Sequence, residues 1–461
     1  MPKRPAGDPA PRPKRSRTAS ARPAAAAGPR SSAFQRRDVA PGLSLHLDRD
    51  DRRKTNLLNV FWVGALDDEV TARAMLPNVL MRGTRRLPTL QALTRETERL
   101  YGASLSTDVR KIGERHVVQL RLEFVNDRYL PGAEPILAET IGFLREVLHE
   151  PNLGGKGGGK GRFDAEMMRQ EKETHRRLIE GLINDKRSFA LQRCVEESCP
   201  DEPFRRHEQG SVEDLDRIDG ASMAELWRTQ MSAGRIAIYF SGDLPVEEAE
   251  RALAPLVEAR ERAAGSASPL PPLPAPRAAG SGREVIERMP IQQANLVQSY
   301  RTGIPFAERR MPGLVVGNGI LGAFAHSKLF VNVREGASLC YSTGSSLERT
   351  HGMLFISSGI DAARYAEARA LIEVQVEDVR AGRFTDLELD STKRAFEARL
   401  RMLDDSPGAR MDIDLAWQVN GQTCDLVRWR ERLAAVTRDD VVEAFAPLAA
   451  DVVYLLAPEG D

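Results

Sequence analysis

The chain has no apolar run close to the ~18 residues that a membrane-spanning helix needs, and no apolar stretch of a secretory kind near residue 1. A soluble protein without an export signal, resident in the cytoplasm, is expected. Cysteine is scarce: Cys194, Cys199, Cys340 and Cys424 are the only four in 461 residues. They are too few and too scattered for a disulfide framework, and the one CxxxxC spacing has no second pair to complete a metal site. Reduced thiols are expected. Histidine is also short for metal hydrolysis, which on a helix needs ligands at i and i+4. The seven histidines, at 46, 116, 149, 175, 207, 326 and 351, never lie closer than 25 residues. His175 stands among Glu171, Glu173 and Glu180, but charges all round a helix mark a solvated face. No G-x-S-x-G turn offers a serine nucleophile, and Cys340, between Leu339 and Tyr341, reads as the core of a strand. The glycine run Gly154 to Gly161 imitates a phosphate loop but puts Gly161 where Ser or Thr would hold magnesium, with no strand before it. A surface insertion is expected there.

What remains is a long, ordinary globular composition, 41% hydrophobic and 29% charged. Its length exceeds the roughly 250–300 residues at which one core stops growing, so at least two domains are expected. The formal net charge of zero conceals a basic arm: ten Lys or Arg in residues 1–40 face only Asp8 and Asp38, a net +8. That arm, assigned to residues 1–37, has too little apolar surface to offset its ordering entropy and reads as disordered. Nucleic acid is not expected as a partner on this composition alone.

Residues 263–282, AAGSASPLPPLPAPRAAGSG, form a Pro-rich linker, and the same features recur in the same order on either side of it. A β-rich run, TNLLNVFWVG from Thr55 or ANLVQSYRTG from Ala294, precedes an apolar helical stretch, Val70 to Met81 or Gly313 to Phe324. GASL follows, at Gly102 to Leu105 and Gly336 to Leu339, then a hairpin-like pair of alternating segments and an amphipathic helix. GRF recurs at Gly161 and Gly382, and each half ends in a capped helix, at Asp219 or Thr437, and an apolar strand. The landmarks are offset by 239 at the first strand, 234 at GASL, 221 at GRF and 218 at the last helix. The reading is an α/β (α+β sandwich type) protein of two homologous halves, 38–262 and 283–461, each a mostly antiparallel sheet packed against helices.

The helix ending in MRGT (Met81 to Thr84), the segment VREGASLCYS (Val333 to Ser342) and the duplicated plan resemble the pitrilysin/insulinase-type (M16) peptidase family. The resemblance runs from about residue 38 to 458. Glu180 to Cys194, EGLINDKRSFALQRC, is most similar to its zinc-less bacterial members associated by name with elongation factor P modification. In that family the first helix carries H-x-x-E-H, two zinc-binding histidines and the glutamate that activates water. The matching places here are Ala74, Pro77 and Asn78. Alanine has no donor atom, proline has no carboxylate, and an amide is a poor zinc ligand. Pro77 should also kink the helix. The family's third ligand falls near Arg177 or Leu178; Glu173 or Glu180 in its place would be a single carboxylate.

The second-half motif R-E-x-x-x-L-x-Y is intact as Arg334, Glu335, Leu339 and Tyr341. The resemblance implies that Arg334 and Tyr341 hold substrate backbone at a zinc site, as guanidinium and phenol donors suit a carbonyl oxygen that gains negative charge. The spacing alone also fits a surface ion pair for Arg334 and a Tyr341 packed in the sheet. The resemblance therefore implies a non-catalytic subunit with no metal or cofactor of its own. It would pair with a zinc-bearing homologue containing H-x-x-E-H and enclose an unfolded peptide. An active zinc metalloendopeptidase with unrecognised ligands and a structural scaffold protein are the alternatives.

Overall fold

Segments of alternating apolar residues assemble into two sheets, one from each half of the sequence, in the computed structural model. It describes residues 34–459 except 133, 155–160, 262–266, 276, 278, 279 and 281. The first half contributes β1 (Gln35–Ala40), β2 (Leu43–Arg49), β3 (Thr55–Ala65), α1 (Val70–Leu80), α2 (Leu90–Arg99), β4 (Ser104–Ile112), β5 (Arg115–Val125), α3 (Ile136–His149), α4 (Ala165–Gly181), α5 (Lys186–Ser198), α6 (Gly220–Ala233), β6 (Arg235–Gly242) and α7 (Val246–Glu261). The second contributes β7 (Arg283–Met289), β8 (Ala294–Arg301), α8 (Met311–Asn318), β9 (Cys340–Glu348), β10 (Met353–Ile360), α9 (Tyr365–Arg380), α10 (Asp386–Met402), α11 (Pro407–Val419), α12 (Leu426–Ala435), α13 (Arg438–Phe445) and β11 (Ala449–Pro458).

The strand orders are β1-β2-β6-β3-β5-β4 and β7-β11-β8-β10-β9. Each sheet is antiparallel but for one pair, β2 with β6 and β7 with β11. The hairpins that follow the two GASL motifs, β4–β5 and β9–β10, thus take the same place, and β4 and β9 are edge strands. This is the expected two-half architecture.

One face of each sheet is covered by that half's own helices. The stripe Ile141, Leu144 and Leu148 of α3 is buried with Met75, Leu76 and Leu80 of α1; Ala368, Ile372, Val376 and Val379 of α9 are buried in the second core. Each Ile, Leu, Met or Val side chain contributes about 1.5–3 kcal/mol on full burial. Glycines let α8 approach its neighbours: a Cβ on Gly317 would lie 2.2 Å from the ring of Phe445.

The other faces are covered by exchange. Helix α5, from the first half, buries Ala190, Cys194 and Val195 against Val297, Phe355 and Tyr454 of the second sheet. Helix α11, from the second half, buries Met411 and Leu415 against Leu57, Phe61 and Tyr239 of the first. The two helices are counterparts, 221 residues apart at both ends, the offset also of the GRF motifs. The exchange corrects the registration of the first strands. An offset of 239 pairs Leu57 with Leu296, yet Leu57 faces the exchanged helix and Leu296 the half's own helices. Because side chains alternate, only an even offset superposes the faces.

Two expectations need adjustment. The arm was assigned to residues 1–37, but Phe34 is buried on the edge of Tyr239 and β1 begins at Gln35; residues 1–33 lie outside the described residues. In the linker, Ser268 is hydrogen-bonded to Ala233 at 2.8 Å and Pro271 accepts from Arg115 at 2.6 Å in the first half, while Gly280 N–H donates to Asp451 of the second at 2.6 Å, so its described part is fastened to both. Helix α1 runs through Pro77 to Leu80 and is closed by Met81 N–H on the Pro77 carbonyl at 3.0 Å. No helix among the described residues is long and apolar enough to cross a membrane.

Candidate functional site

Helix α1 holds the place of the zinc motif. Ala74 is buried, Pro77 is buried in the last turns, and Asn78 is exposed, its Oδ1 accepting from Thr107 Oγ of β4 at 3.2 Å. None of the three fits a metal ion. Beside them Arg73 is buried and fully engaged, donating to Asp67 at 2.6 Å, Glu69 at 3.1 Å and the Ala65 carbonyl at 2.5 Å. His116 accepts from Arg73 Nε at 3.4 Å and donates through Nε2 to the Glu208 carbonyl at 2.8 Å. Burial, and then the Arg73 charge, lower its pKa to about 4, so it is neutral.

On α4, Arg177 is exposed and paired with Glu173 at 2.9 Å, and Leu178 is exposed. His175 was expected on a solvated face. It is buried instead, because the loop before α6 covers it and the Gln209 carbonyl accepts from Nε2 at 2.8 Å. Burial lowers its pKa as well. Glu171 is half-buried against Arg82 at 3.3 Å. The residues at the family's zinc place therefore cannot assemble a ligand set.

Arg334 and Tyr341 flank the entry to β9. Arg334 lies in a wide π-helical turn, Leu329–Gly336, a geometry that recurs at functional sites. Its guanidinium stands 4.5 Å from the Phe330 ring and 3.5 Å from Glu335. The bland alternative for Arg334, a surface ion pair, thus has a counterpart in the Glu335 contact. The one for Tyr341 does not: this side chain is 77% exposed, and among the described residues its hydroxyl has no hydrogen-bond partner. Val331, also exposed, lies in the same turn. Cys340 is buried as expected, and burial raises its pKa.

One cluster of possible metal donors exists among the described residues: Cys199, Glu202 and His351, with ligand atoms all within 4.8 Å of one another. Cys199 and Glu202 follow α5; His351 lies in the β9–β10 turn, some 150 residues away, so no local spacing could announce the group. The place of a cation is taken by Arg301 of β8. Its guanidinium donates to Glu202 at 2.7 Å, to Asp451 at 2.8 Å and to the Ser198 carbonyl at 2.6 Å, and lies 3.4 Å from Cys199 Sγ. His351 Nε2 is 2.7 Å from Glu202 and its ring stacks on Phe204 at 4.4 Å. Burial holds the Cys199 thiol near pKa 12, far from the thiolate that binds metal. The cluster is a structural ion network that ties the halves together.

Comparison with known proteins agrees with this geometry. Residues 217–396 match the family described as Peptidase M16 inactive domain. The chain is 30% identical over 425 residues to a Bacillus subtilis protein named probable inactive metalloprotease YmfF, covering 90% of this chain and 96% of that one. It is 24% identical over 207 residues to the same organism's uncharacterized zinc protease YmxG, covering 44% of this chain and 48% of that one. Among solved structures, a conserved protein from Enterococcus faecalis superposes with a TM-score of 0.82 at 27% identity, over 93% of this chain and 99% of that one. A peptidase M16 inactive domain from Pseudomonas fluorescens superposes at 0.73 and 17% identity, over 93% and 98%. With near-complete coverage by a relative at this identity, two homologous halves and a degenerate first helix, the chain belongs to the pitrilysin/insulinase-type (M16) peptidase family.

Proposed function

We propose that this chain is a non-catalytic member of the family that binds extended peptide, pairs with a zinc-bearing homologue, and presents Arg334 and Tyr341 to that partner's active site. The observation that carries the reading is the contrast between the two halves. Helix α1 carries neither the histidines nor the glutamate at the family's zinc places, while Tyr341 projects, 77% exposed, from an edge strand that follows the turn bearing Arg334. A phenol left in water at no packing gain is poorly explained by stability, since an exposed aromatic contributes little to a core. A donor pair held at an edge strand suits a peptide carbonyl. The two curated relatives lend support to a pairing: one organism holds both a protein named inactive and one named a zinc protease. An active enzyme with other ligands is disfavoured, as the Cys199–Glu202–His351 group is filled by Arg301. Four buried free thiols suit a reducing cytoplasm.

Co-purification from the native cell should recover a similar-sized chain containing H-x-x-E-H, with stoichiometric zinc in that partner only. In the reconstituted pair, changing Arg334 and Tyr341 to Ala should lower peptide turnover about 100-fold or more, the loss expected for transition-state donors, with zinc content unchanged. Wild-type turnover in that variant would sink the role of both residues. Stoichiometric zinc and chelator-sensitive cleavage by this chain alone would instead establish the active-enzyme alternative.

A further inference from the structure

A cavity of about 650 Å³ opens beside β9, and its lining is chemically one-sided. Three arginines face it, Arg187 of α5, Arg349 in the β9–β10 turn and Arg399 of α10, and no Asp or Glu is among its lining residues. None of the three makes an ion pair among the described residues, although arginines elsewhere, such as Arg73, Arg193 and Arg369, are held by carboxylates. Arg349 lies over the rings of Phe306 at 5.1 Å and Trp429 at 5.9 Å, and Arg399 over Phe324 at 5.0 Å. The acids beside them are engaged elsewhere. Asp185 caps α5 through Ser188, and Glu348 accepts from the backbone N–H groups of Gly113 and His351. Burial lowers the Arg349 pKa, against the opposing pull of Glu348 and Cys424, the state of a cation that lacks a close counter-charge.

The cavity also has a backbone wall. Thr343, Gly344, Ser345, Ser346 and Leu347 of β9 all line it. Side chains of a strand alternate between faces, so five consecutive lining residues mean that the cavity runs along the strand's edge. On that edge β9 has no strand partner among the described residues, bonding to β10 alone, while Gly322 lies against Ser345 at one point. Trp417 and Trp429 supply an apolar wall.

We propose that this cavity takes an acidic, extended peptide. The segment adds to β9 as a further strand, sets carboxylates against Arg187, Arg349 and Arg399, and rests an apolar side chain on Trp417 and Trp429. Strand addition gives affinity through backbone hydrogen bonds, and the guanidinium forks select carboxylates. The proposal rests on the reading of the chain as a peptide binder and names the class of peptide, without requiring the partner or the roles of Arg334 and Tyr341.

The test is fluorescence anisotropy on the full chain with two labelled peptides of equal length and identical apolar residues. One carries Glu and Asp, the other Gln and Asn. The acidic peptide should bind at least about tenfold more tightly, a preference that shrinks as salt rises. The exposed pair Arg187→Gln and Arg399→Gln should abolish the preference, whereas the equally charge-reducing control Arg85→Gln and Arg95→Gln should keep it. Methylating alternate backbone nitrogens of the acidic peptide should weaken binding. Equal binding of both peptides, or a preference that survives in the Arg187/Arg399 variant, overturns the proposal and leaves the general peptide-binding reading standing. Failure of both peptides to bind overturns the two together. Competition by free glutamate or inorganic phosphate at the peptide's own concentration makes the cavity a small-anion site and overturns strand addition.

Discussion

Some of the side chains that couple the two halves are ionisable and buried, and these make stability depend on pH. Burial alone would raise the Glu202 pKa, but the His351 hydrogen bond and Arg301 bring it down to about 2. Unfolded, this carboxyl titrates near ~4.3. The unfolded chain therefore binds more protons between those values, and the stabilisation, on the order of 3 kcal/mol, is complete above pH ~4.3 and lost as pH falls towards 2. His116, held within the first half, acts in a higher window. Its folded pKa of about 4 lies below the ~6.5 of the unfolded state. Stability is thus whole above pH ~6.5 and declines on acidification towards 4, by about 3 kcal/mol, with buried His175 adding to the same slope. Urea midpoints should accordingly fall between pH 7 and 5, and less steeply in His116→Gln. A flat wild-type profile over that range would reject a neutral, buried His116. At pH 7, Glu202→Gln should cost about 3–5 kcal/mol, because it leaves Arg301 with Asp451 as its only carboxylate.

The exchanged helices carry the largest share of what the sequence did not disclose. Met411 of α11 is fully buried against the first sheet. Met411→Ala should therefore cost about 2–5 kcal/mol, measured by chemical denaturation, although it changes no residue of the half it destabilises most. A cost below about 1 kcal/mol would mean that α11 is not seated there in solution. Local signals made the hairpins legible: strand alternation and the recurring GASL fix β4–β5 and β9–β10 without reference to the rest of the chain. An apolar stripe on α5 or α11 does not say which sheet it meets, and the short connections after α4 and α10 allow either. Identity matching placed Leu57 on Leu296 because the tripeptides look alike; the alternation of faces, visible only once the exchanged helices are seated, requires an even offset. At the site, the loss of ligands at Ala74, Pro77 and Asn78 was legible residue by residue, and so was the Arg334–Tyr341 spacing. The exposure of Tyr341 was not. Nor was the basic cavity, whose arginines are spread from Arg187 to Arg399 and meet only through tertiary packing.

At the scale of the molecule, the exchange means that the Pro-rich linker is not what keeps the halves together. Helix α11 is pinned to the first half by buried contacts and by polar ones: Tyr239 donates to Asp414 at 2.6 Å, Arg110 pairs with Asp412 at 2.6 Å, and Arg410 pairs with Asp48. Helix α5 is pinned to the second by Ser198 on Ser299 at 2.8 Å, Arg283 on Glu197 at 2.6 Å and the Arg301 network. Two reciprocal seats, each with its own apolar cluster, make the halves one cooperative unit. The division at residues 263–282 is then a boundary of sequence rather than of stability. A protease site placed within 262–266 should yield two fragments on a denaturing gel that co-elute at the intact size under native conditions. The cut protein should still unfold in a single transition by near-ultraviolet and far-ultraviolet circular dichroism, the mark of all-or-none behaviour. The midpoint should become concentration-dependent, since unfolding now releases two chains. Separate elution of the fragments, or two resolved transitions in the uncut chain, would show that each half stands alone and that the exchange adds contact without coupling. Coupled halves also bear on function. A peptide seated along β9 touches α5 and α11 at once through Arg187 and Trp417, so binding there should raise the melting temperature of the whole molecule rather than of the second half alone.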